Sequence, residues 1–431
     1  MSSDQFYYIQ IQRAAELLSI VGTSRQAADR EIDAYFRKHR NMGKRDRGFV
    51  AEAVYACLRQ RRYFEAALAD VNPDPALHAL YLIGVYLLIE KGFSGRALVA
   101  AGFDAHAVPT LVQQIRSLDV GSLPIAVRLS LPDWLAERLI AQYGEEETLT
   151  LAAALNKPAT LDLRVNTLKA NREQLAQVLG EQGFEVQLTR YSPVGLRRQE
   201  RAALFQTEAF RNGLFEVQDE GSQLIAYLVE AQPRELVIDF CAGGGGKALH
   251  IGMLMHNTGS LYACDVHEKR LQQLRPRMIR AGLDNIRMLP IENEQDAALA
   301  RMRGKADRVL VDAPCSGTGT LRRNPDIKWR DIDLVELASL QLRILTSAAK
   351  LVKLGGRLVY VTCSLLQEEN EQIVTKFLQD AADFQRLSAA EILARQGITI
   401  DDAVTEEGAM RLYPHKHGTD GFYAAVLERV R

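Results

Sequence analysis

The stretch LVIDFCAGGGGK, Leu236 to Lys247, runs a short apolar strand pattern into four consecutive glycines, Gly243 to Gly246, and a helical pattern follows. A strand that enters a glycine turn and leaves it as a helix opens a βαβ unit. The turn lets backbone approach a ligand closely and offers free helix N–H groups. The run fits G-x-G-x-x-A, with Ala248 in the last place, a motif of low specificity by itself. It is not a P-loop, because Cys241 stands where the first glycine belongs and Ala248 replaces Ser/Thr. Asp265 ends the next strand pattern, 22 residues after Gly243. An acid at about 20 residues is where a ribose hydroxyl pair is held. A nucleoside-containing cofactor is therefore expected, and nicotinamide and S-adenosylmethionine cofactors both satisfy that.

Outward from this loop, strands and helices alternate to the end of the chain. Expected strands are 260–264, 285–291, 308–311 and 357–362. Expected helices are 268–281, 333–351 and 368–378, and 421–430 could add a last strand. That alternation predicts an α/β fold with a mostly parallel, doubly wound sheet. Upstream, 160–166 alternates like a strand, a helix over 172–179 follows, and Asn212-Gly213 reads as a hairpin-type turn. These make a small α+β module. Residues 5–143 are helical in pattern. The expected domains are 1–149, all-α; 150–232, α+β; and 233–431, Rossmann-like.

The chain has 431 residues, 47% hydrophobic and 25% charged, the balance of a globular protein. Lys and Arg number 53 against 54 acids, so a globally basic coat for nucleic acid is excluded, although a local patch is not. One such patch is Arg37-Lys38-His39-Arg40-Asn41-Met42-Gly43-Lys44-Arg45-Asp46-Arg47, with six basic residues and one acid. It reads either as a solvated helix face or as a phosphate-facing surface. The longest apolar run, 79–89, has 11 residues, too few for a bilayer and suited to a core helix. The N-terminus lacks the pattern of a signal peptide. A cytoplasmic, monomeric protein without a membrane is expected.

Five cysteines, Cys57, Cys241, Cys264, Cys315 and Cys363, are widely spaced without a CxxC. Neither a disulfide framework nor a metal site is expected. Two of them are placed for chemistry. VLVDAPCSGTG carries Asp312 and Cys315 just past a strand, and VYVTCS puts Cys363 at another strand's carboxyl end. Ligands bind at those ends in doubly wound folds. A dehydrogenase has no use for such a thiol pair, although each cysteine alone could be a small buried hydrophobe.

The sequence DFCAGGGGK, ACDVHEKRL, VDAPCSGTG, RRNPDIKW and VTCSLLQEEN resembles the Nol/Nop/Sun family of RNA cytosine-5 methyltransferases, over about 233–430. ATLDLRVNTLK resembles that family's RNA-binding linker module. The helical start, with KRDRGFVAEAVYACLR, resembles the NusB-like domain of its bacterial small-subunit rRNA branch. The resemblance implies S-adenosyl-L-methionine as cofactor and a cysteine adduct at cytosine C6. It implies Cys363 as nucleophile, Cys315 as helper in product release and Asp312 on the cytosine edge. Lys247 would place positive charge beside the reacting groups. Cys241, Ala242, Gly243, Gly244, Gly245, Gly246, Lys247, Asp265, Glu292 and Asp312 would line the donor pocket. RNA would be held by Arg37, Lys38, Lys44, Arg45, Arg47, Arg164 and Asn166. Arg322, Arg323, Lys328 and Trp329 would form a lid, unless Trp329 is instead a core tryptophan. The RNA is expected to be rRNA, with tRNA as the alternative. A non-catalytic RNA-binding assembly factor is the remaining reading. The family's Ala-Pro is replaced here by Gly243-Gly244, its Thr by Ala248, and its common Asp by Glu292. A looser donor loop is expected from the glycines.

Overall fold

The computed structural model describes residues 3–24, 26–71, 73–199, 204–400 and 402–431. The chain divides into two compact units, 1–158 with 320–331, and 159–319 with 332–431.

The first unit is helical. Helix Ser3–Thr23 buries Ile11, Ala14, Leu17, Leu18 and Val21, a three-and-four spacing that lays one stripe on the core. Helix His78–Ile89 holds most of the long apolar run, and Leu82, Ile83, Val85, Tyr86 and Leu87 are buried around it. The basic stretch spans the end of helix Ala28–Lys38, a turn, and the start of helix Lys44–Arg59. Residues 320–331, distant in sequence, belong to this unit. The Lys328 ammonium donates to Arg59 O (2.8 Å), Ser130 O (3.1 Å) and Asn156 Oδ1 (2.5 Å). Trp329 Nε1 donates to Leu58 O at 2.8 Å.

The second unit holds both sheets. Strands β1 (Leu161–Val165), β2 (Gln187–Leu188), β3 (Gly195–Arg198) and β4 (Phe215–Val217) form an antiparallel sheet in the order β2-β3-β1-β4. Helix Arg172–Glu181, capped by Asn171 on Gln174 N, belongs to this module. Asn212-Gly213 is not a hairpin turn, because β3 and β4 both pair with β1. It ends the short helix Glu208–Arg211 instead, with Gly213 left-handed at φ +69°.

The larger sheet contains β5 (Leu236–Asp239), β6 (Ser260–Asp265), β7 (Ile286–Pro290), β8 (Ala306–Asp312), β9 (Val352–Thr362), β10 (Phe384–Leu387), β11 (Met410–Leu412) and β12 (Phe422–Arg429). Its order is β10-β12-β9-β8-β5-β6-β7, with β11 on β12. Strands β5 to β9 pair in parallel, and β12 returns antiparallel on β9. Side chains alternate faces with period two. Val237, Leu310, Val359 and Val361 join one core, with Leu224 and Leu249. Ile238, Val309, Val311, Leu358 and Tyr360 join the other, with Ile344 and Leu345. The first of these cores also contains Leu163 and Leu175, so 150–232 and 233–431 share buried surface. The helix expected over 268–281 is broken into Glu268–Leu271 and Leu274–Ala281. Pro276 has no N–H to donate and is accommodated only in the first turn of the second piece.

Candidate active site

The site is built at the carboxyl ends of β5, β6, β8 and β9. A cavity of about 640 Å³ there is lined by Cys241, Ala242, Gly243, Gly244, Gly246, Lys247, Asp265, Asp312, Cys315 and Cys363. After β5 the chain makes a tight turn, with Gly245 N donating to Ala242 O at 2.8 Å, and helix Gly246–Leu254 begins. Gly245 is left-handed at φ +77°, and a Cβ there would meet the Leu274 side chain at 2.3 Å. Gly245 itself is outside the cavity wall, so its expected place in the donor pocket is corrected: it serves the packing of loop on helix.

Asp265 ends β6. Its Oδ2 accepts from Gly243 N and its Oδ1 from His267 N, both at 2.7 Å. The carboxylate is thus fixed against the cavity while each oxygen keeps lone-pair capacity for a hydroxyl. Glu292 is exposed and lies outside the cavity lining. Glu294, half-buried and paired with Arg343, lines the cavity in its stead. The strand ends at Pro290, so residue 292 already lies in the turn that Asp296 caps by accepting from Glu292 N. Apolar Ile291, Leu340 and Ile344 complete the wall. A glycine turn at a helix N-terminus, a fixed carboxylate and an apolar slot fit the phosphate-free nucleoside of S-adenosylmethionine.

The glycine substitutions do not leave the loop unsupported. Arg277 Nη1 donates to Gly244 O at 2.5 Å, and Glu216 holds the same guanidinium at 3.0 Å. Arg277 has no place in the sequence reading, because its partner Glu216 lies in another module.

The two thiols meet. Cys315 Sγ and Cys363 Sγ are 3.3 Å apart, although 48 residues separate them. The approach depends on Gly319, whose N–H donates to Cys363 O at 2.8 Å. A Cβ there would lie 2.8 Å from that oxygen and 2.4 Å from Gly421 O. Lys247 Nζ donates to Asp312 Oδ2 at 2.7 Å. Burial is the largest influence and lowers the lysine's pKa, but the charge and hydrogen bond of Asp312 together with the charges of Cys363 and Asp239 outweigh it, and the net shift is upward. Asp239, 1% exposed, lies buried at the end of β5 beneath the site. Burial, then the charge of Asp312, pushes its carboxyl up to about 8. Cys57 and Cys264 are buried core fillers, and burial pushes both thiols up.

A model described as 16S rRNA methyltransferase RsmB/F matches residues 226–428, and a ferredoxin-like domain of the RsmF/B-like type matches 131–203. A protein of Synechocystis sp. named probable ribosomal RNA small subunit methyltransferase B is 34% identical, over 93% of this chain and 95% of its own. This chain belongs to the RsmB/F methyltransferase family. It is an S-adenosylmethionine-dependent RNA methyltransferase. The Bacillus subtilis relative of the same name is 33% identical over 92% of this chain and 87% of its own. Among solved structures, PH0851 aligns with TM-score 0.78 at 27% identity, covering 98% of this chain and 99% of its own. A methyltransferase homologue from Pyrococcus horikoshii aligns with TM-score 0.60 at 30% identity, covering 72% of this chain and 100% of its own.

Several expected RNA contacts face inward. Arg164, 4% exposed, donates to Gln218 and to Gly246 O, so it braces the donor loop from beneath. Asn166 Nδ2 donates to Gly213 O and Ala281 O. Arg322 is buried and Lys328 is 1% exposed. Trp329 packs on the helical core with Arg61 over its ring, so the core-tryptophan reading holds and the base-stacking one does not. The sequence signal failed because buried cations satisfying carbonyls have the same composition as a phosphate patch. Arg323 is half-buried in the same segment. Arg37, Lys38, Lys44 and Arg45 are exposed, and Arg47 is partly spent on Met42 O and the face of Phe36. Among the described residues no helix is long and apolar enough to cross a membrane.

Proposed function

We propose that this enzyme methylates C5 of a cytosine in small-subunit ribosomal RNA, with Cys363 as nucleophile. The observation that carries the reading is the pair of thiols 3.3 Å apart beside the Lys247–Asp312 ion pair, in the wall of one cavity. Cytosine C5 is too weak a nucleophile to be methylated unaided. Bonding of the Cys363 thiolate to C6 makes C5 enamine-like. Bound S-adenosylmethionine supplies an electrophilic methyl group. Asp312, about a third exposed, is available to hydrogen-bond the cytosine edge while Lys247 offsets its charge. Loss of the C5 proton and departure of the Cys363 sulfur complete the turnover, and Cys315 lies within hydrogen-bond distance of that sulfur. The names of the Synechocystis and Bacillus relatives support ribosomal RNA of the small subunit as substrate. The exposed cations at 37–45 offer a surface for its phosphates. The reading includes a cytoplasmic monomer.

The test is methyl transfer from labelled donor to small-subunit rRNA and to tRNA, followed by bisulfite mapping. Cys363→Ala should abolish transfer and keep donor binding. Cys315→Ala should accumulate a protein–RNA adduct that survives denaturing gels, and the double variant should not. Turnover by Cys363→Ala, or an adduct in that variant alone, would reverse the two roles. Methylation of tRNA in preference would move the substrate.

A further inference from the structure

Glu369, in the turn Gln367–Glu369 after β9, is wholly buried, and among the described residues no cation pairs with it. An isolated buried carboxylate is costly unless its oxygens are fully hydrogen-bonded. Here they are. Oε1 accepts from Ser316 N at 2.8 Å and from Gln341 Nε2 at 2.9 Å. Oε2 accepts from the hydroxyls of Ser316 and Ser364. Ser316 follows Cys315 and Ser364 follows Cys363, so one carboxylate joins the two cysteine loops directly behind the thiols. The two hydroxyls are 3.1 Å from each other. Gln341 also donates to Pro314 O at 2.9 Å, which grips the first loop on both sides of Cys315. Asn370 Nδ2 donates to Ser364 O at 2.9 Å and steadies the second.

Neutral groups could have supplied the same bonds. A carboxylate adds negative charge on one side of the thiol pair, while Lys247 supplies positive charge on the other. The ionisable groups that interact with the pair are Lys247 on the helix after β5, which feels Cys363, and Tyr360 on β9 and Glu369 in the turn after it, both of which interact with Cys315. The Cys315 thiol is pushed well up, first by its hydrogen bond with Cys363, then by burial, then by the charges of Cys363 and Glu369. Lys247 feels the charge of Cys363.

We infer that Glu369 is the positioning residue of the thiol pair: it holds the two cysteine loops together and places a negative charge beside Cys315. The inference rests on the reading of Cys363 as nucleophile. The test uses the full chain and iodoacetamide, which reports thiolate without RNA. In a Cys363→Ala background, Glu369→Gln should speed Cys315 alkylation at pH 8 by more than about twofold over the Glu form, because it removes a charge that raises the thiol. Glu369→Asp keeps the charge and should leave that rate within about twofold. With both cysteines present, Glu369→Asp should still lower turnover, because a shorter side chain cannot reach both serines. Donor affinity, measured by calorimetry, should stay unchanged and shows that each variant is folded. Equal Cys315 reactivity in the Gln and Glu forms would overturn the charge role. Full turnover by Glu369→Asp would overturn the clamp. If Glu369→Gln does not fold, Gln341→Met, which removes one bond to the carboxylate and one to the Cys315 loop, takes its place, with lowered turnover at unchanged donor affinity expected and full turnover overturning the clamp. Methylation by Cys363→Ala would sink the nucleophile assignment without touching the alkylation result, so the two failures are distinguishable.

Discussion

Replacing Gly245 by alanine tests whether the donor loop is held by backbone geometry. At φ +77° an L-residue is disfavoured by about 1–2 kcal/mol. The new Cβ would lie 2.3 Å from one Leu274 methyl and 2.9 Å from both the other methyl and Cγ. Leu274 is wholly buried, so a rotamer change cannot clear all three atoms. Overpacking of that kind costs about 1–3 kcal/mol. The sum is about 2–5 kcal/mol, a large part of the ~5–15 kcal/mol that holds a domain folded. If the loop keeps its shape, the strain appears as lost stability in urea titration. If it relaxes, it appears as lost donor affinity in calorimetry, at about tenfold per 1.4 kcal/mol. Gly244→Ala is the control, because its φ is not positive and its Cβ meets nothing nearer than 3.5 Å. Stability and affinity both within ~0.5 kcal/mol of the parent in Gly245→Ala, judged by additivity limits, would refute the reasoning. So would an equal effect in Gly244→Ala.

Asp265→Ala should weaken donor binding far more than RNA binding, since it removes both the ribose acceptor and the bond that seats Gly243; equal donor affinity in calorimetry would discount the pocket. Neutralising Arg37, Lys38, Lys44 and Arg45 should flatten the salt dependence of RNA binding by ~0.7–0.9 in log–log slope per lost phosphate contact, and an unchanged slope would return the stretch to a solvated face. Burial, then the charge of Arg59, lowers the Lys328 ammonium to about 7. That folded value lies below the ordinary one of 10.5, so the fold disfavours the charged form. The penalty is complete below about pH 7 and vanishes as pH rises past 10.5. The stability difference between the parent and Lys328→Met should therefore shift toward the parent by several kcal/mol across that window. A difference that is flat with pH in denaturant titrations would show that the three oxygen acceptors already offset the burial.

The position of the site in the fold was legible in the sequence because it depends on local patterns. A strand running into four glycines, an acid at the next strand's end, and thiols after Asp312 and at Thr362-Cys363 each need only a few consecutive residues. Strand alternation likewise placed all three motifs at one sheet edge, since parallel strands point their carboxyl ends the same way. What sequence could not decide was which polar residues face inward. Arg164, Asn166, Lys328 and Trp329 have the composition of an RNA surface, yet each spends its donors on carbonyls or amides from distant segments. Which of Glu292 and Glu294 lines the cavity depends on β7 ending at Pro290, and a shift of two residues is invisible before the turn is built. Arg277 and Glu369 were missed for the same reason. Their roles come from neighbours 61 and 53 residues away, at Glu216 and Ser316. Only tertiary packing brings those partners within hydrogen-bond range, and only burial makes a lone carboxylate's bonds obligatory.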